Sequence, residues 1–237
     1  MSGSPIHSIS PLEALKRLSE GNRRFLEKGA SIGTRVFNAE LADQPQRPFA
    51  IVLGCSDSRT PVEILFDEGF GDLFVVRIAG NVVAPSVVGS IEFAASQFGT
   101  QLVVVLGHTR CGAIGATVRA IHSGDGPESN NLRAITNRIA PHIAPLVKRT
   151  GPPPNDPALQ REAMRANVRA SVAHLRHGSE LLEDLGLAGT LAIVGAEYEL
   201  ETGRVRFLDG VAEDAEGNVT LVGSSPLASA KPLRTST

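Results

Sequence analysis

A chain of 237 residues, 42% hydrophobic and 20% charged, is long enough to bury a substantial core as one large α/β domain or at most two small ones. A formal net charge of -2 offers no electrostatic attraction for nucleic acid or acidic lipid, and nowhere do about eighteen apolar residues run together as a membrane-crossing helix requires. The opening segment, MSGSPIHSISPLEALKR, lacks the basic stretch and apolar run of a secretion signal, so the expectation is a cytoplasmic protein whose two cysteines, Cys55 and Cys111, are reduced thiols.

Ser10 and Pro11 lead into LEALKRLSEGNRRFLEK, a helix pattern with Leu12, Leu15, Leu18 and Phe25 toward one face. Short β-branched runs follow at 49–54 (FAIVLG), 73–79 (LFVVRIA), 102–107 (LVVVLG) and 191–200 (LAIVGAEYEL). Apolar residues on both faces are the mark of buried parallel strands. Helix-like stretches lie between them, at 86–98, 113–123, 131–149 and one long stretch over 158–186. This alternation predicts a mainly parallel sheet flanked by helices, with an N-terminal helical arm. The segment GPPPNDP at 151–157 reads as a stiff linker between helices, because the 191–200 strand still has to join the same sheet. One domain is expected over 1–222, and the small, polar, proline-containing segment 223–237 is expected to be a disordered tail.

Two segments echo each other weakly: AIVLGCSDSR and VVVLGHTRCG both pass from an apolar strand through Leu-Gly into polar residues. In an open α/β sheet, ligands bind beyond the carboxyl ends of the strands, where Cys55 and His108 both fall. His108 and Cys111 are three residues apart in HTRC, a spacing that lets both curl round one ion as a helix opens. Cys55, His108 and Cys111 would supply two thiolates and an imidazole, with Asp57 as an oxygen donor or a neighbouring base. Soft sulfur with imidazole favours zinc over magnesium or calcium. Two other readings stand beside this one: a cysteine nucleophile with His108 as its base, and a closed structural zinc site. The remaining histidines, His7, His122, His142, His174 and His177, lack ligand-like neighbours and read as solvated.

CSDSR and HTRCG, in this order after strands of this kind, resemble the two signature motifs of the β-class carbonic anhydrases. ALKRLSEGNRRF, DLFVVRIAGNVV, GSIEFAASQFG and GTLAIVGAEYELETGRV resemble further stretches of that family in the same order, so the resemblance spans roughly residues 12–210. It implies one zinc ion per chain on Cys55, His108 and Cys111, and an Asp57–Arg59 pair beside it. It also implies a carbon dioxide pocket formed by Gln46, Phe74, Ala79, Gly112 and, from a neighbouring subunit, Phe93, hence a homodimer or a dimer of dimers. Several relatives carry Tyr at the position of Phe93 and Val at that of Ala79. Some members bind bicarbonate at a regulatory site through a tryptophan three residues before the first cysteine, but Val52 stands there and this chain has no tryptophan.

The activity implied is zinc-dependent, reversible hydration of carbon dioxide to bicarbonate and a proton, with hydrolysis of carbonyl sulfide or carbon disulfide by a related fold as the alternative. Two thiolates neutralise the zinc dication and make it acidify water less than three imidazoles do, so activity is expected to rise toward alkaline pH. Asp57, held by Arg59, would orient the nucleophile. At low pH it could instead leave Arg59 and become a fourth ligand, closing the site, as some members of the family do.

Overall fold

The computed structural model describes residues 9–29, 43–127 and 129–222. The expected tail over 223–237, with His7, lies outside them. Helix α1 spans Pro11–Lys28 and opens as its sequence predicts, with the Ser10 hydroxyl accepting the Glu13 N–H at 3.2 Å and proline in the first turn. Strand β1 (Ala50–Gly54) leads to a single turn, α2 (Val62–Leu65), and strand β2 (Leu73–Arg77). After a tight turn at Ala79–Asn81 come α3 (Pro85–Phe98), β3 (Leu102–His108), α4 (Gly112–Ser123) and α5 (Asn130–Thr150). The chain continues with α6 (Pro157–His177), α7 (Glu180–Leu187) and β4 (Ala192–Tyr198), and finishes in three short strands: β5 (Val205–Phe207), β6 (Val211–Glu213) and β7 (Val219–Leu221).

The helix expected over 158–186 is two helices. Gly178 donates to the His174 carbonyl and ends α6, while the Ser179 hydroxyl accepts the Leu182 N–H and starts α7. The same hydroxyl donates to Glu92 on α3 at 2.6 Å, so the break also ties the two helices to a third. Three-residue strands and a four-residue helix are too short to leave a periodic signal, which is why α2 and β5–β7 were not expected from the sequence.

The main sheet runs in the order β2-β1-β3-β4-β5, with β1 to β4 parallel and β5 antiparallel to β4. Alternate residues serve two cores. Ile51, Leu53, Val103, Val105 and Ile193 pack with α3, α4, α5 and α6, whereas Ala50, Val52, Val104, Leu106 and Val194 pack with Leu15 and Leu18 of α1 and with Phe66. Leu18 is fully buried, so its truncation to alanine would cost about 2–5 kcal/mol. Strands β1 and β3 are buried along their whole length; β2, at the sheet edge, is half-buried. No described helix is long and apolar enough to cross a membrane.

Register decides where the chemistry falls. Gly54 pairs with Leu106, so β1 and β3 end almost level, and Cys55 and His108 emerge side by side at the carboxyl edge of the sheet.

Candidate metal centre

Cys55, His108 and Cys111 are all buried, and their Sγ and ring nitrogen atoms lie within 4.8 Å of one another. Three turns meet there. The first, after β1, carries Cys55, Asp57, Arg59 and Thr60. Arg77, at the end of β2, donates from Nε to the Cys55 carbonyl at 2.9 Å and from Nη2 to the Asp57 carbonyl at 2.6 Å. The Thr60 hydroxyl adds a bond to the Asp57 carbonyl at 2.8 Å. Within the turn, the Asp57 carboxylate accepts Arg59 Nε at 2.9 Å on one oxygen and Nη2 at 2.8 Å on the other. That two-pronged pair, joined by the Arg59 backbone N–H, holds the Asp57 carboxyl far below the usual carboxylate range. Arg59 also reaches the Arg110 carbonyl, at 3.4 Å, in the second turn.

The second turn runs from His108, the last residue of β3, to Cys111, which caps α4. His108 Nδ1 lies 2.9 Å from the Thr109 carbonyl, an acceptor, so Nδ1 carries the proton and donates. Nε2 is then a lone-pair atom, buried and without a hydrogen-bond partner among the described residues. Its surroundings are the two sulfurs and, at 4.0 Å, Asp57 Oδ2.

The third turn, Ala79–Asn81, supplies a backbone donor: the Gly80 N–H points at Cys55 Sγ, 3.3 Å away. Gly80 has φ of 68°, and a Cβ on it would lie 2.9 Å from Ile139 Cδ1 and 3.0 Å from Ala113 Cβ, so both conformation and space demand glycine. Asn167 of α6 holds the turn by donating to the Gly80 carbonyl at 2.9 Å. Hydrogen bonding from the Cys111 thiol, ahead of the Gly80 amide, pulls the Cys55 thiol down. The same coupling with Cys55, reinforced by burial, pushes Cys111 up.

An unpartnered imidazole lone pair facing two buried sulfurs is a soft set of three donors, and it fits zinc. The other described histidines, His122, His142, His174 and His177, are exposed as expected.

The residues expected around the substrate are spread more widely. Ala79 begins the turn that meets Cys55, and Gly112 follows Cys111 as the first residue of α4. Phe74 on β2 and Phe93 on α3 meet through Phe98, with ring centroids 6.0 and 5.5 Å from it. Phe93 is 53% exposed, and Gln46 lies exposed before β1. Arg77, Gly80 and Asn167 were missed in the sequence. Arg77 closes the apolar run LFVVR, but a charge at an exposed strand end is ordinary and carried no signal of the brace.

Residues 50–205 match the family model described as Carbonic anhydrase. The chain is 39% identical over 214 residues to carbonic anhydrase 2 of Mycobacterium tuberculosis, an alignment covering 88% of this chain and 98% of that protein. Among solved structures, it resembles the β-carbonic anhydrase CcaA with a TM-score of 0.64 at 23% identity, over 83% of this chain and 95% of that one. It resembles a tetrameric β-carbonic anhydrase of Sordaria macrospora with a TM-score of 0.62 at 22% identity, over 80% and 94% of the two chains. With two buried thiols and an open imidazole at the ends of adjacent parallel strands, the chain belongs to the carbonic anhydrase family, in its β class.

Proposed function

We propose that this carbonic anhydrase hydrates carbon dioxide reversibly to bicarbonate and a proton at one zinc ion held by Cys55, His108 and Cys111. The observation that carries the ligand assignment is the buried, partnerless Nε2 of His108 facing both sulfurs. Zinc, when bound, supplies Lewis acidity that makes water a nucleophile near neutral pH, as the three-histidine carbonic anhydrases illustrate.

The remaining work falls to the chain. Asp57, anionic and pinned by Arg59, is an acceptor beside the ligand cluster that takes a hydrogen bond from the attacking water and turns its lone pair toward carbon. Arg59 keeps that carboxylate from collapsing onto the metal; releasing it would let Asp57 serve as a fourth ligand and shut the site. The Gly80 amide offsets charge on Cys55 sulfur. Phe74 and Ala79, with Phe93 contributed by a second copy of the chain, form an apolar berth for a linear, uncharged substrate, and Gln46 and the Gly112 N–H are its polar partners. A phenylalanine more than half exposed, in a chain only 4% aromatic, supports its use by a partner in a homodimer or larger assembly. Two free, buried thiols suit a reducing compartment such as the cytoplasm.

The test is metal analysis of the purified protein joined to a stopped-flow assay of carbon dioxide hydration. One zinc per chain with hydration activity lost on chelation is expected; hydration that survives complete removal of zinc would overturn the proposal. Sedimentation of the active enzyme checks the assembly, and a fully active monomer would remove Phe93 from the pocket.

A further inference from the structure

The turn between His108 and Cys111 contains two residues, Thr109 and Arg110. Both are gripped from outside by the hairpin turn that joins β4 to β5. Thr109 is nearly buried and uses every polar group it has. Its N–H donates to the Tyr198 carbonyl at 3.0 Å. Its hydroxyl accepts the Leu200 N–H at 3.0 Å and donates to Glu201 Oε2 at 3.0 Å. Its carbonyl receives the Nδ1 proton of His108 at 2.9 Å. The other oxygen of Glu201 pairs with Arg110 Nε at 2.6 Å, and Arg110 sits at φ of 55°, a conformation that costs a non-glycine residue free energy unless neighbours hold it. The hairpin is itself fixed to α1, because Asn22 donates to the Gly203 carbonyl at 3.0 Å and accepts the Val205 N–H at 2.9 Å.

We propose that Thr109 and Glu201 are positioning residues for the metal centre, setting how tightly zinc is held through the orientation of His108 and the strained turn to Cys111. The inference rests on the zinc reading above. The Thr109 carbonyl selects the His108 tautomer and aims Nε2 at the sulfurs, so anything that lets Thr109 rotate also lets the imidazole tilt. Glu201 makes that rotation unfavourable by binding both intervening side chains at once. Neither residue touches substrate or metal.

The experiment measures the rate at which zinc-loaded full-length protein releases zinc to an excess of a colorimetric chelator, alongside the thermal midpoint of the metal-free protein. Thr109→Val keeps shape and removes the hydroxyl; Glu201→Ala changes only a partly exposed side chain and so guards against misfolding of the first variant. Both are expected to release zinc about tenfold or more faster than the wild type, with Thr109→Ser restoring a near-native rate. Leu182→Ala, buried on α7 and packed toward α6 and α3 rather than the hairpin, is the control for lost stability: it should lower the thermal midpoint while leaving the release rate near native. Native release rates in both Thr109→Val and Glu201→Ala would overturn the inference, as would equal acceleration by Leu182→Ala. A wild-type protein that holds no zinc would overturn the zinc reading with it, whereas a zinc-loaded wild type with indifferent variants overturns this inference alone.

Discussion

The two ligand turns begin alike, with Leu-Gly at the end of a buried parallel strand, and then are held in opposite ways. The turn carrying Cys55 is braced at its backbone: one arginine, Arg77, takes two carbonyls, and the side chains that project from the turn, Asp57 and Arg59, bind each other. The turn carrying His108 and Cys111 is braced chiefly at its side chains, where Glu201 binds both Thr109 and Arg110, with the Thr109 N–H on the Tyr198 carbonyl, and its backbone takes a left-handed step at Arg110. The difference follows from the sheet. β1 lies between β2 and β3, so the end of β2 can reach across to the first turn; β3 lies beside β4, whose hairpin overhangs the second. A metal placed between the two turns is positioned by two supports of different kind, joined by the bond from Arg59 to the Arg110 carbonyl.

The largest effect comes from removing a donor. Cys111→Ala takes away one of three soft donors, so stoichiometric zinc and hydration activity should both be lost. Retention of one zinc per chain after dialysis of that variant would sink the ligand assignment.

Next in size is Arg77→Ala, which frees both carbonyls of the first turn. Loss of such outer partners of a metal site lowers metal affinity or activity by about 10–100-fold. Arg77→Lys should not rescue it, because the two bonds leave from different nitrogens of one planar fork and an ammonium cannot reproduce that geometry. If lysine restores zinc retention and activity, the brace is a matter of charge rather than shape.

The two strand-end glycines give a smaller, structural contrast. A Cβ on Gly107 would meet Val168 Cγ2 at 2.5 Å and Met164 Sδ at 2.6 Å, both on α6; one on Gly54 would meet only Val62 Cγ2, at 3.3 Å. Gly107→Ala is therefore an overpacking change expected to cost about 1–3 kcal/mol in denaturant unfolding. In Gly54→Ala, slight crowding is opposed by about 0.5–1 kcal/mol gained from restricting the unfolded chain. Equal losses in the two variants would mean that α6 yields more readily than its packing suggests.

How much of this could be read beforehand depends on how local each signal is. Four parallel strands, the intervening helices and the Cys55, His108 and Cys111 set were visible because each rests on neighbours in sequence: apolar runs, and a Leu-Gly step followed by ligand residues. Asp57 and Arg59 stand two apart and form their bond within one turn. The braces were not visible, because Arg77 meets Cys55 across 22 positions and Glu201 meets Thr109 across 92, distances over which only the sheet order decides who meets whom. The division of 158–186 into α6 and α7 was missed for a different reason: a serine cap inside a continuous amphipathic pattern looks like one more polar position on a helix face.

The smallest expected effect tests the side chains of the first turn by pH. The pKa of Asp57 is depressed in the folded protein, chiefly by the Arg59 hydrogen bonds, relative to about 3.9 in an unfolded chain. A depressed carboxyl contributes stability that is fully present above the unfolded value and is lost as pH falls through the folded one, so the Asp57–Arg59 pair should be indifferent to pH across the neutral range and fail only in strong acid. Because both side chains border solvent, screening keeps that contribution small. Asp57→Asn should therefore give a stability profile that parallels the native one from about pH 5 to 8 and converges with it below about pH 4, where the native carboxyl begins to lose its advantage. Any fall in hydration activity between pH 8 and 6 then belongs to the titration of the attacking water or to Asp57 leaving Arg59 as an anion, not to protonation of Asp57. A stability difference between the two proteins that changes between pH 6 and 8 would show that the carboxyl titrates near neutrality and that Arg59 does not hold it.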